Sequence, residues 1–411
     1  MLRPSIPIPP PPDLPARPSR FTADLSICTF RLGGGVEPGL PDEDTPIRVP
    51  TLRGHLRFWW RAFFAYKYPT VAALKEAENR YWGCTENSSS IRLFVHSYRA
   101  PTPATIPASR PTDRFPIPEE PRYALFPAQQ DLKNIGKLSP RGASFKLEVA
   151  TSNEDAKVQA QLALFALANF GGYGARSRRG CGTFYSENFV PDLSKASVND
   201  VLTYLRKPFL PMGKVAPATD WPSLKGSVIV LGPRAMPVQE AWQAVIGLYR
   251  DFRQDRPNRG GGRPGRNRWP EPDSVRLDRN THSPNHSPIQ MTGDYPRAIF
   301  GLPIIFHFKD VRDGDPADQT LEPSTEDQGG RLASPFILKP LMVSPTHAFP
   351  MVMRLHSNVL DRATEMGRQL ENLRLRQKQE EDLTVSAGPR RADEEFLGRV
   401  VSEWKTPRLI L

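Results

Sequence analysis

The most suggestive chemistry in this chain is a stripe of arginines in a segment free of acids. In IRVPTLRGHLRFWWRAFFAYKY, Arg53, Arg57 and Arg61 recur at i, i+4 and i+8, and no Asp or Glu lies between Arg48 and Lys67. That spacing puts the three guanidinium groups along one edge of a helix, beside a face made by Leu56, Trp59, Phe63 and Tyr66. The aromatic face reads as core. With no acid at hand to neutralise them, the arginines are expected to meet a polyanion. Arg48 precedes the helix and Gly54 lies in its first turn, where a missing side chain lets a ligand reach backbone N–H groups. A helix N-terminus is partly positive and suits a phosphate, and the arginine fork binds phosphate bidentately.

A second basic block is GGYGARSRRGCG, residues 171–182, with five glycines, three arginines and no acid from Ala156 to Tyr185. Gly171 and Gly172 are expected to form a left-handed cap that ends the preceding helix. Gly174 and Gly180 let a backbone lie flat against a polyanion. With Ala175, these glycines are expected to form a ridge holding Arg176, Arg178 and Arg179 outward against an RNA backbone. A basic surface loop is the plainer alternative. The order is helix, loop, strand, the reverse of a nucleotide-cofactor loop, and no GK[ST] occurs, so no cofactor is expected.

His55 invites a test for metal-free RNA cleavage, which needs a base for the 2′-OH and an acid for the leaving oxygen. Its neighbours by sequence are Tyr66 and Lys67, and on one helix Lys67 stands ~18 Å away. The pair cannot share a scissile phosphate, so His55 is expected to contact phosphate or a 2′-OH, or to pack. His282, His286 and His307 show no ligand spacing, and Asp310, Asp313 and Asp315 around Gly314 read as a solvated acidic turn. No metal site is expected. Arg256, Arg259, Arg263, Arg266 and Arg268 form a polar loop with Trp269 as a stacking platform. Flexible RNA contact and passive linker stay open for it.

These residues must be positioned by ordered elements. FTADLSICTFR alternates as a half-buried strand, helices are expected over 51–67, with Thr51 as N-cap, and over 71–81, and IRLFVHS is a strand. Residues 98–142 read as a long irregular insertion. SFKLEVA is a strand, 155–170 an apolar helix, and TFYSENF a short strand. The order β, α, β, β, α, β over about 20–190 is the ferredoxin-like or RRM-like arrangement. In residues 191–411, KGSVIVLG, LPIIFHF and SPFILKPLMV are strands and 238–253 is a helix. An acidic turn is expected between the last two strands, a polar loop over 254–290, and a long charged helix over 362–383. A second, divergent ferredoxin-like domain fits. The fold class is therefore α+β, with tandem ferredoxin-like domains after a proline-rich tail at 1–19.

Composition agrees with a nucleic-acid partner. Lys and Arg total 55 against 44 acids in 411 residues, a net charge of +11, with a pI of about 9.6. A polyanion is favoured, nucleic acid ahead of membrane. No apolar run approaches the ~18–20 residues that span a bilayer. The N-terminus, with eight prolines in its first 18 residues, lacks an apolar signal region. Cys28, Cys84 and Cys181 are far apart, so neither a disulfide scaffold nor structural zinc is expected, and a cytoplasmic location fits.

IRVPTLRGHLRFWWRA followed by LKEAENRYWG resembles the opening of the RAMP superfamily proteins of CRISPR systems. GGYGARSRRGCGTF resembles their glycine-rich loop, and PRAIFGLPIIFHF with RLASPFILKPL resembles the branch of the first-numbered Cmr-type subunit of type III-B complexes. Trp82-Gly83-Cys84 and the insertions at 98–142 and 254–290 depart from the pattern and put local loop geometry in question. The resemblance implies a non-catalytic subunit that holds the 3′ part of a guide RNA and adjoins target RNA in antiviral defence, with other RAMP subunits as partners. Its alternative is a metal-independent RAMP-type endoribonuclease. A scaffold whose basic face meets acidic proteins is a third reading.

Overall fold

The computed structural model describes residues 19–37, 40–42, 44–101, 121–125, 138–190, 192–212, 221–254, 268–281, 292–308, 311–324, 330–358, 370–377 and 380–411. Residues 1–18 of the proline-rich tail, most of 98–142, Arg256, Arg259, Arg263, Arg266, His282, His286 and Asp310 lie outside the described residues, and Ser19 belongs to the first strand rather than to the tail.

The first unit opens with β1 (Ser19–Ile27). Ala23, Leu25 and Ile27 are buried while Thr22 and Asp24 are exposed, the period of a strand with one wet face. Then come β2 (Arg31–Leu32), α1 (Val49–Phe64), α2 (Val71–Trp82), β3 (Ile91–Arg99), β4 (Leu138–Ser139), β5 (Ser144–Thr151), α3 (Glu154–Phe170) and β6 (Phe184–Tyr185). Strands β3-β5-β1-β6 form an antiparallel sheet in that order, and β2 pairs with β4.

After α4 (Val198–Arg206), the second unit contains β7 (Ser223–Leu231), β8 (Met236–Pro237), α5 (Val238–Gln254), α6 (Glu271–Asp278), β9 (Ile304–Phe306), β10 (Gln319–Pro323), β11 (Phe336–Met342), β12 (His347–His356), β13 (Leu373–Arg376), β14 (Leu383–Val385), α7 (Ala392–Trp404) and β15 (Arg408–Ile410). Its main sheet runs β11-β12-β7-β15, with β8 added beside β12. This order matches the first sheet strand for strand, with a helix after the first and third strands of each. The remaining strands build a separate antiparallel sheet, β14-β13-β10-β9.

The two units share one core. Leu52, Leu56, Phe63, Leu164 and Phe170 of α1 and α3 cluster with Leu25 and Phe145 of the first sheet and with Ile229, Ile337 and Met351 of the second. Val230, Leu338 and Val352, on the opposite face of the second sheet, pack with Trp242, Tyr249 and Phe396 of α5 and α7. The layers are thus sheet, helices, sheet, helices. The inner sheet is covered on both faces, so β11 is buried at every position and its sequence reads as a continuous apolar run.

Several sequence expectations need correction. Arg48, not Thr51, is the N-cap of α1, without a side-chain cap bond, because the helix begins three residues early at Val49, with Pro50 in its first turn. Gly171 caps α3 at φ −100, and neither it nor Gly172 is left-handed. The expected loop at 254–290 contains α6, and Trp269 before it is buried, with its indole N–H donated to the Arg253 carbonyl, so it offers no open stacking face. Of the expected helix at 362–383, residues 362–369 and 378–379 lie outside the described residues, and 373–376 form β13 instead: Leu373 and Leu375 alternate inward, a period of two that the flanking charges obscured. The acidic turn holds β10, and Asp315 there is buried against Arg276 at 2.8 Å. The sequence reading also missed α4, β12, α7 and β15.

Candidate functional site

The start of α1 and the glycine-rich loop come together on one surface. The Tyr173 hydroxyl accepts the Arg48 backbone N–H at 2.8 Å, at the N-cap of α1. His55 Nε2 accepts the Gly174 N–H at 3.3 Å, and its ring stands edge-on to Tyr173. Burial lowers the His55 pKa below its ordinary value, so the ring is neutral at pH 7. Ala175 bonds back to the Leu32 carbonyl at 2.8 Å, drawing the loop against β2. Gly174 has φ +87, and a Cβ there would lie 2.7 Å from the Leu32 carbonyl oxygen, so the position admits only glycine at full comfort. Gly172 is excluded from a side chain by packing alone, since its Cβ would stand 2.7 Å from the Cys181 carbonyl oxygen.

This surface is open where it counts. Gly54 and Ala175 are exposed, and no heavy atom lies within 4 Å of the place a Gly54 Cβ would take. Arg48 flanks it, 3.6 Å from Asp42. Because α1 starts at Val49, Gly54 lies past its first turn, and the expectation of free N–H groups there is corrected: what the position offers is bare surface. With a guanidinium at its rim, that surface leaves room for a phosphodiester backbone to lie flat.

The arginines of the loop do not stand outward. Arg176 donates to the Ala124 and Tyr123 carbonyls, and Arg178 to the Ser334 carbonyl. Arg179 donates to the Phe336 carbonyl at 2.8 Å and to the Tyr249 hydroxyl at 3.3 Å, over whose ring it sits. Burial, with Arg179 beside it, pushes the Arg178 pKa down to about 10. At Gly180, φ is +83, and a Cβ would meet Trp242 Nε1 at 2.5 Å, the same nitrogen that donates to the Arg179 carbonyl. Arg178 and Arg179 therefore fasten the loop to the second unit, and Arg176 to the segment between β3 and β4. The expectation of an outward ridge is corrected for their side chains, which are engaged by backbone carbonyls of neighbouring segments.

The stripe on α1 is likewise engaged. Glu78 of α2, buried, receives Arg57 at 2.5 Å and also Arg61. Arg61 lies over the Trp221 ring. Arg53 donates to the Trp82 and Ile91 carbonyls and to Ser89 Oγ, at 3.2–3.3 Å. The premise that no acid neutralises the stripe fails because the acid comes from the next helix. A Glu at an inward position of α2 was the available signal.

Lys339 was also missed. It is fully buried in β11 and donates to the Gly171 carbonyl at 2.7 Å, tying the end of α3 to the second sheet. Burial holds its pKa down at about 7. A lone lysine in FILKPLM marks it in the sequence. His307, exposed, pairs with Asp318 at 2.8 Å. Among the described residues no group of three or more His, Cys, Asp or Glu is placed to hold a metal ion, and no helix is long and apolar enough to cross a membrane.

Residues 27–185 match the family model of the RAMP superfamily, which bears out the resemblance read from the motifs over that segment. The chain is 29% identical over 151 residues to the CRISPR system Cmr subunit Cmr1-1 of Pyrococcus furiosus. That match covers 35% of this chain and about two fifths of the relative, 41%. Two solved structures are similar at low identity. The crystal structure of Cmr1 from Pyrococcus furiosus in its apo form is 16% identical, with 95% of this chain and 98% of that chain covered and a TM-score of 0.48. A chain of the cryo-EM structure of the Type III-B Cmr-beta bound to cognate target RNA is 11% identical, with 83% and 95% covered and a TM-score of 0.44.

Proposed function

From a chain whose residues 27–185 carry the RAMP superfamily match, we infer an RNA-binding, non-catalytic subunit of a type III-B CRISPR effector complex. It holds the 3′ part of a guide RNA and adjoins target RNA, beside other RAMP subunits, in the cytoplasm. The partial likeness to a Cmr subunit supports the choice of complex. We read the two units as tandem ferredoxin-like domains, a reading supported by the β, α, β, β, α, β order and the common strand order of both main sheets.

The observation that carries the RNA reading is the open floor formed by Gly54, His55, Gly174 and Ala175 at the start of α1. It accepts a phosphodiester backbone without reading bases, as a subunit must that takes guides of any sequence. The inward turn of Arg57, Arg61, Arg178 and Arg179 moves the contact from their side chains to this floor and to Arg48. Catalysis is the weaker reading because the Nε2 lone pair of His55 is already taken by the Gly174 N–H. Incubating the purified chain with labelled guide-type RNA, with and without EDTA and over a salt series, tests both. Intact RNA held with a falling affinity as salt rises is the expected result. Cleavage products that persist in EDTA would sink the non-catalytic reading, and absence of binding would sink the RNA reading.

A further inference from the structure

The first sheet has a second face, which the site above does not use. Its helices cover only one side, and the other side displays alternate residues of the edge strand β3. Arg92, Phe94 and His96 point there, all exposed, and Phe94 is 41% accessible. The rings of Phe94 and His96 lie nearly parallel, at 15°. Beyond them Ser97 stands at φ +52, the register shifts, and Tyr98 is exposed at 37%.

The neighbouring strands place charges around these rings. His96 lies opposite Lys146 and Phe94 opposite Glu148 on β5, and Glu148 lies opposite Thr22 on β1. The acids are spoken for: Glu148 pairs with Arg20 at 2.7 Å and with His96 at 3.3 Å, and Asp24 faces Lys146 at 3.6 Å. Arg92 has no carboxylate partner among the described residues, so the face keeps a positive excess. Rings and cations interleaved on one open strand fit bases that stack while their phosphates lie beside cations.

We propose that this outer face of the first sheet is a second RNA contact, a stacking platform for one or two unpaired bases centred on Phe94. The proposal rests on the RNA reading of the chain and adds a separate surface to it. A single strand fits and a duplex does not, because paired bases offer no ring face.

The test is fluorescence anisotropy of the full chain with a labelled single-stranded RNA decamer and the matching duplex, joined to 4-thiouridine crosslinking and peptide mapping. Phe94→Ala is expected to weaken single-strand binding about 5- to 150-fold, the range for one lost base stack. Phe94→Trp is expected to restore it, and the melting temperature of either variant to stay unchanged, since the ring is outside the core. Arg92→Ala is expected to lower the salt slope by ~0.7. Crosslinks in the β3 peptide support the platform. Unchanged affinity of Phe94→Ala, with crosslinks confined to residues 171–182, overturns it and leaves the RNA reading standing. Unchanged affinity with lost assembly onto another subunit also overturns it, by giving the face to a protein. No RNA binding by the wild-type chain removes both readings together.

Discussion

At the scale of single residues, the account turns on groups that have no freedom to be otherwise. Gly174 combines φ +87 with a carbonyl oxygen 2.7 Å from any added Cβ. Gly174→Val therefore does not spare the fold, and is expected to lower stability by about 1–3 kcal/mol, read as a fall in the urea midpoint. Lys339 gives a pH signature. Its pKa of about 7 when folded lies below the 10.5 of the free group, so above pH 7 the unfolded chain binds a proton that the folded chain does not. Stability from this group therefore rises with pH, by up to ~1.4 kcal/mol per unit. Cys28, raised from 9.0 to about 12 by burial, acts in the opposite sense once pH passes 9. The clean window is pH 7 to 9. There the wild-type chain is expected to gain stability relative to Lys339→Met, and urea melts at both pH values check it. Parallel pH dependence of the two proteins would contradict the buried-lysine assignment.

At the scale of elements, the arginine stripe of α1 is a fastening to α2. Removing both Arg57 and Arg61 leaves Glu78 buried without its cations, which is expected to cost about 3 kcal/mol. Glu78→Gln in that background should return part of the loss, as thermal melts would show. The elements also mark the limits of sequence reading. Strands β1, β3 and β5 and helices α1 and α2 were legible from a wet face and a clear period, and α3 from its apolar, alanine-rich length, since its second half is buried all round. Strand β12 was not. It is buried on both faces and carries Pro350, Met351 and Met353, so it shows no alternation. Strand β13 hid among charges, and its pairing with β10 joins residues far apart in the chain. At the site, the glycine constraint at Gly174 and Gly180 was legible from residue type, whereas the meeting of the glycine-rich loop with α1 emerged only in the fold. The targets of the arginines were not, because Glu78, Ser334 and Phe336 reach them only through tertiary contacts that no local spacing records.

At the scale of the whole molecule, one shared core makes two like-ordered units behave as one body. Helices α1 and α3 lie between both sheets, so separating the units would expose apolar surface on each. A single calorimetric transition is expected for the full chain, and two resolved transitions would contradict the shared core. The net charge of +11 supplies long-range attraction for RNA, while the local floor decides where the backbone lands. The most direct measurement pairs melting temperature with single-stranded RNA affinity for Gly54→Gln. Gly54 is exposed in α1, with open space where a side chain would grow. Replacing it favours the helix by roughly 0.5–1 kcal/mol. If RNA lies on the floor made by Gly54, His55, Gly174 and Ala175, the variant melts no lower than wild type and binds RNA at least about tenfold more weakly, a loss of about 1.4 kcal/mol. If it melts as expected and binds RNA as wild type does, the backbone does not lie on that floor, and the central claim is wrong.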